Sequence, residues 1–99
     1  KRKLEIYETK IKLFKFKKIK YKIDLIKVDV NGFEYIIIKS MLSQIKRDKP
    51  IIVLENNSKI NKISYILKNL NYRMYYNDNL KFKPFKNQKV LDIFFICKK

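Results

Sequence analysis

Two acidic residues stand at the ends of two apolar runs in this 99-residue chain, and that placement could do chemistry. Asp29 closes Ile23-Asp24-Leu25-Ile26-Lys27-Val28, and Glu55 closes Ile51-Ile52-Val53-Leu54. Shortly after Asp29 come Asn31 and Gly32, a turn pair, and then Glu34. In an open parallel α/β sheet, ligands bind outside the carboxyl ends of the strands. A helix opening after the Gly32 turn adds free N–H groups to the same crevice. Carboxylates paired there could hold hydroxyls or amines, act as a general base, or ligate a hard cation. Acidic residues also end strands because solvent begins there, so position alone leaves both readings open.

Several other chemistries are closed to the chain. It has no His, which removes histidine metal ligands and Ser-His-Asp or Cys-His catalysis from within it. Its one cysteine, Cys97, cannot form an internal disulfide. No apolar run approaches the roughly 18 residues of a membrane-spanning helix. The start, Lys1-Arg2-Lys3-Leu4-Glu5, runs into charge rather than an apolar signal, so a cytoplasmic location is expected.

The elements that must position the two acids follow from hydrophobic spacing. Ile23–Val30 is rich in β-branched residues and reads as a strand buried on both faces, stopped at Asn31-Gly32. From Glu34 to about Lys46 the period changes: Ile38, Met41, Leu42 and Ile45 form one helical face, and Pro50 ends it. Ile51–Leu54 is a second buried strand. Asn56-Asn57-Ser58 offers an N-cap to a second helix with the stripe Ile60, Ile63, Leu67 and Leu70, and Asn71 suits the left-handed position after it. Tyr72–Tyr76 is a third strand, Asn77-Asp78-Asn79 a turn, Lys81–Lys89 with Pro84 a polar loop, and Val90–Cys97 a last strand. The order β-α-β-α-β-loop-β predicts a mostly parallel sheet with an antiparallel last strand.

Charge is the other conspicuous property. The formal net charge is +16, from 25 Lys and Arg against 9 Asp and Glu. Lys, Ile and Asn number 22, 16 and 9, while Ala is absent and Gly occurs once. Those preferences follow A/T-rich codons, which makes the charge compositional. A nucleic-acid-binding α/β module is the alternative, since clustered cations attract phosphate. However, only Arg2, Arg47 and Arg73 supply the bidentate fork, and the lysines run the whole length. The best local candidate for such a patch is 10–22, where Phe14, Phe16 and Tyr21 interleave with lysines; the favoured reading is an amphipathic segment over a sheet edge, since no recognised RNA-binding motif accompanies it. The expectation is weak, non-specific nucleic-acid binding only.

The stretch Lys22-Ile23-Asp24-Leu25-Ile26-Lys27-Val28-Asp29-Val30-Asn31-Gly32-Phe33-Glu34 resembles the core signature of the FkbM-type methyltransferases. A helix ending in a proline and an apolar strand ending in Glu follow in that pattern, as Pro50 through Glu55 do here. The resemblance runs from about Lys22 to Lys99, with Asp92 near the family's closing segment. One departure is Asn31, where the family usually carries Glu; Asn keeps a polar contact but no charge.

The resemblance implies the carboxyl-terminal half of a Rossmann-like class I methyltransferase sheet, its fourth to seventh strands. It implies S-adenosylmethionine as cofactor and a small-molecule or glycan acceptor, with O-methylation of a sugar, lipid or secondary-metabolite hydroxyl. Asp29, Asn31 and Gly32 are then expected beside the cofactor, Glu34 and Glu55 on the substrate side, and Asp29 and Glu55 as the catalytic pair. With a single glycine, no glycine-rich cofactor loop lies in the chain. Together with a start at Lys1 rather than Met, this leads to the expectation that residues 1–99 are a partial domain, inactive alone, whose cofactor-binding half lies upstream. Residues 1–22 read as a basic lead-in.

Overall fold

The computed structural model describes residues 22–29, 32–57 and 60–98. The segment read at 10–22 lies outside them except for Lys22, and so does Ser58 of the expected N-cap. The elements run β1 (Leu25–Val28), α1 (Glu34–Ser40), α2 (Leu42–Asp48), β2 (Ile51–Glu55), α3 (Ile60–Lys68), β3 (Tyr72–Asp78), β4 (Lys81–Pro84) and β5 (Asp92–Cys97). The five strands form one mixed sheet in the order β1-β2-β5-β3-β4.

Register fixes which side chains share the core. Ile26 lies beside Ile52, and Ile52 beside Phe95. One row on, Val28 lies beside Leu54 and Leu54 beside Ile93. These two rows pack with Ile38, Met41 and Ile45 of the first helical segment and Ile63 and Leu67 of α3. Burying each such side chain stabilises the fold by roughly 1.5–3 kcal/mol, which ties both strand and helix periods to one core. Asp48 accepts the Ile23 N–H at 2.9 Å, joining the end of α2 to the entry of β1.

The sheet departs from the mostly parallel expectation. Only β1 and β2 pair parallel; β2–β5, β5–β3 and β3–β4 are antiparallel. The reason is that β5 inserts between β2 and β3, so two strands that run the same way are not neighbours. The expected polar loop at Lys81–Lys89 is also corrected: Lys81–Pro84 pairs with β3 as an edge strand. Pro84 is tolerated there because an edge leaves one side of the backbone unpaired. The turn sits at Asn79 and Leu80, both with positive φ (49° and 67°), while Asn77 and Asp78 belong to β3. Two central residues of positive φ make the tight turn that matches strand twist.

The single helix expected from Glu34 to Lys46 is divided at Met41 (φ −101°, ψ 8°), whose N–H is shared between the carbonyls of Ile37 and Ile38. Ser40 Oγ donates to Ile37 O at 2.7 Å, a back-bond that bends helices. The apolar stripe survives the break, since Ile38, Met41 and Ile45 are all buried. Lys49 takes the left-handed position after α2 (φ 51°), immediately before Pro50. Asn71 is left-handed after α3, at φ 67°.

Candidate functional site

Parallel pairing puts Val28 opposite Leu54, so the residues that follow, Asp29 and Glu55, leave matching ends of adjacent strands. Both line one cavity of about 120 Å³. Asp29 is exposed and Glu55 half-buried. A third carboxylate joins them: Asp92, the first residue of β5, pairs with Glu55 and lines the same cavity. The connection before β5 is tied down beside it, with Asn56 N–H donating to Leu91 O at 2.8 Å and Asn56 Nδ2 to Val90 O at 3.2 Å. Lys27, Val28, Val53 and Leu91 also line the cavity.

A water molecule takes roughly 30 Å³ of liquid, and sites for drug-sized ligands run to about 300–1,000 Å³. The cavity therefore admits a hydroxyl, an ammonium or a few heavy atoms. Among the described residues no group of three His, Cys, Asp or Glu is arranged to hold a metal ion. The three acids can accept hydrogen bonds from a hydroxyl or amine, and among the described residues Lys27 brings the one cationic side chain to the wall.

Gly32 and Glu34 form a separate, tighter piece of structure. Gly32 has φ +87°, and a Cβ built on it would meet nothing within 4 Å. Its requirement for glycine is thus backbone conformation, not space. Its N–H donates to Glu34 Oε1 at 3.1 Å. Glu34 is 2 % exposed, and its Oε2 is buried without a hydrogen-bond partner among the described residues. The family resemblance implies Glu34 on the substrate side; its carboxylate is buried and accepts the Gly32 N–H at the turn that opens α1. It does not line the cavity shared by Asp29 and Glu55. Asn31 lies outside the described residues.

The model of the methyltransferase FkbM domain matches residues 3–74. The chain belongs to the FkbM methyltransferase family. No curated protein and no solved structure matches it. The FkbM match runs from before β1 to the start of β3, and Asp29, Gly32, Glu34 and Glu55 all fall inside it. Asp92, β4 and β5 lie beyond it. The match also begins well before Lys22, where the resemblance in the signature starts.

Asp92 is the site neighbour that sequence spacing did not nominate. An acid at the start of a terminal strand carries no periodic signal. It reaches Glu55 only because β5 inserts antiparallel beside β2.

Proposed function

We propose that the chain is the carboxyl-terminal part of an S-adenosylmethionine-dependent methyltransferase that methylates a hydroxyl on a sugar, lipid or secondary metabolite. The observation that carries the reading is the joint placement of Asp29 and Glu55 on one small cavity within an FkbM methyltransferase domain. On this reading the sheet is the second half of a Rossmann-like sheet, with the antiparallel β5 inserted between β2 and β3.

The described residues do not fit the whole cofactor. The cavity between the carboxylates is about 120 Å³, and the one glycine of the chain stands in open space rather than against a cradle. The reading therefore assigns the glycine-rich loop to upstream polypeptide and leaves this chain one polar corner of the site. S-adenosylmethionine supplies the methyl group when bound. Asp29, exposed at the mouth, is the group assigned to take the proton of an acceptor hydroxyl. Glu55 orients that hydroxyl from the neighbouring strand.

The test is methyl transfer from labelled S-adenosylmethionine to hydroxylated glycan and lipid acceptors, using polypeptide that includes the upstream half. Labelled product that disappears with Asp29→Asn supports the reading. Transfer undiminished in an Asp29→Asn, Glu55→Gln double variant rejects the site.

A further inference from the structure

A larger cavity opens at the other edge of the sheet. Glu55 pairs with Asp92 at one end of β5, and Cys97 at its other end pairs with Tyr72 at the start of β3. There a cavity of about 550 Å³ lies between α3, β3 and the residue after β5. Its size falls in the range of sites for small organic ligands, unlike the acidic cavity across the sheet. Tyr72, Met74 and Phe85 supply apolar lining. The Tyr72 hydroxyl is committed to Pro50 O at 2.5 Å, so its ring offers apolar surface alone. Ser64 Oγ donates to Met74 Sδ at 3.2 Å, fixing the thioether beside the rings. Lys68, Arg73 and Lys98 also line the cavity, and among the described residues no carboxylate does. Among the described residues none of these three cations is in a salt bridge.

From this conjunction we infer that the cavity binds a small phosphate monoester carried on a flat apolar body. An arginine fork with two lysines suits a doubly charged phosphate. Aromatic rings and a thioether suit a planar apolar group. The charge of +16 attracts any anion weakly to the whole surface, so cations alone would not mark a site. What marks it is the coincidence of un-neutralised cations with an apolar wall in a cavity of ligand size. The inference stands apart from the methyltransferase reading, since it uses no residue of the acidic cavity.

The experiment titrates naphthyl phosphate into the full chain at about 150 mM salt, where diffuse attraction is screened over roughly 8 Å. Methyl-labelled methionine reports the place, because Met74 lines the cavity and Met41 is buried elsewhere in the core. The expected result is saturable binding that shifts the Met74 signal and leaves Met41 unmoved. Affinity should exceed that of inorganic phosphate and of naphthol by about tenfold each, a difference of one decade in Kd. Lys68→Gln with Lys98→Gln should lower it about tenfold, whereas Lys39→Gln with Lys89→Gln leaves it within about twofold. An unmoved Met74 signal overturns the inference. So does inorganic phosphate binding as tightly as the aryl ester, or an equal loss in the control pair.

Discussion

Asp29 and Glu55 share a cavity but differ in exposure, and that difference predicts how each responds to substitution. Asp29 is exposed, so Asp29→Asn should change stability by no more than about 0.5 kcal/mol. If it takes the hydroxyl proton, the same change in the complete enzyme should lower kcat about 100-fold or more. Thermal unfolding and single-turnover methyl transfer on one preparation separate the two effects. Asp48 is the opposite case, an acid that serves the fold. The Arg47 guanidinium beside it holds its carboxyl below the ordinary value of 3.8, with the Ile23 N–H contributing. A lowered folded pKa means that the native state binds fewer protons than the unfolded chain. Its stabilisation is therefore complete above pH 3.8 and is lost as pH falls through the lowered folded value. Asp48→Ala leaves the Ile23 N–H without its acceptor and should cost about 1–3 kcal/mol at neutral pH. Urea melts of both proteins down the acid range should converge.

Among the elements, the β3–β4 hairpin carries the clearest local conflict. Leu80 holds φ 67° and is 95 % exposed, so it accepts left-handed backbone without burying its side chain in return. That conformation costs a residue with a Cβ roughly 1–2 kcal/mol, and glycine returns part of the gain through its larger unfolded entropy. Leu80→Gly, following Asn79 at φ 49°, completes the residue pair that this turn prefers. It should raise stability by about 0.5–1 kcal/mol. A higher urea midpoint with an unchanged slope is the expected result; a lower midpoint would mean that Leu80 packs in a way its exposure does not show.

For the molecule as a whole, two expectations concern what it leaves unbound. The isolated 99-residue chain should not bind S-adenosylmethionine at micromolar concentration, because it offers one glycine and a small acidic cavity. Calorimetry on the purified chain checks this, and micromolar heats would defeat it. The charge of +16 should give only weak nucleic-acid binding. A site making 6–10 phosphate contacts loses on the order of 10³–10⁵ in affinity between 50 and 200 mM salt. Binding to DNA or RNA should accordingly vanish near physiological salt, and nanomolar affinity retained there would favour a nucleic-acid module instead.

Local rules acted where neighbours in sequence decide the outcome. The runs Leu25–Val28 and Ile51–Glu55 became strands because Ile26, Val28, Ile52 and Leu54 fill one face under a helical stripe; burial on both faces, expected from the apolar runs, is corrected, since Lys27 and Ile51 on the other face are exposed. That much put Asp29 and Glu55 at matching strand ends before any contact was known. Asn71 took the left-handed position because its helix stripe ended just before it. Tertiary pairing decided the rest. Lys81-Phe82-Lys83-Pro84 alternates for only four residues and carries a proline, which argues against a strand, and it became one because β3 offered an unpaired edge. Whether β5 would lie outside β3 or between β2 and β3 is a choice among non-local backbone partners, which no spacing within β5 encodes. That choice made the sheet mostly antiparallel and brought Asp92 to Glu55. It also set the other end of β5 against the start of β3, where the basic cavity lies. Glu34 was drawn inward for a similar reason, since its carboxylate found the Gly32 N–H, a partner that helical periodicity alone does not reveal.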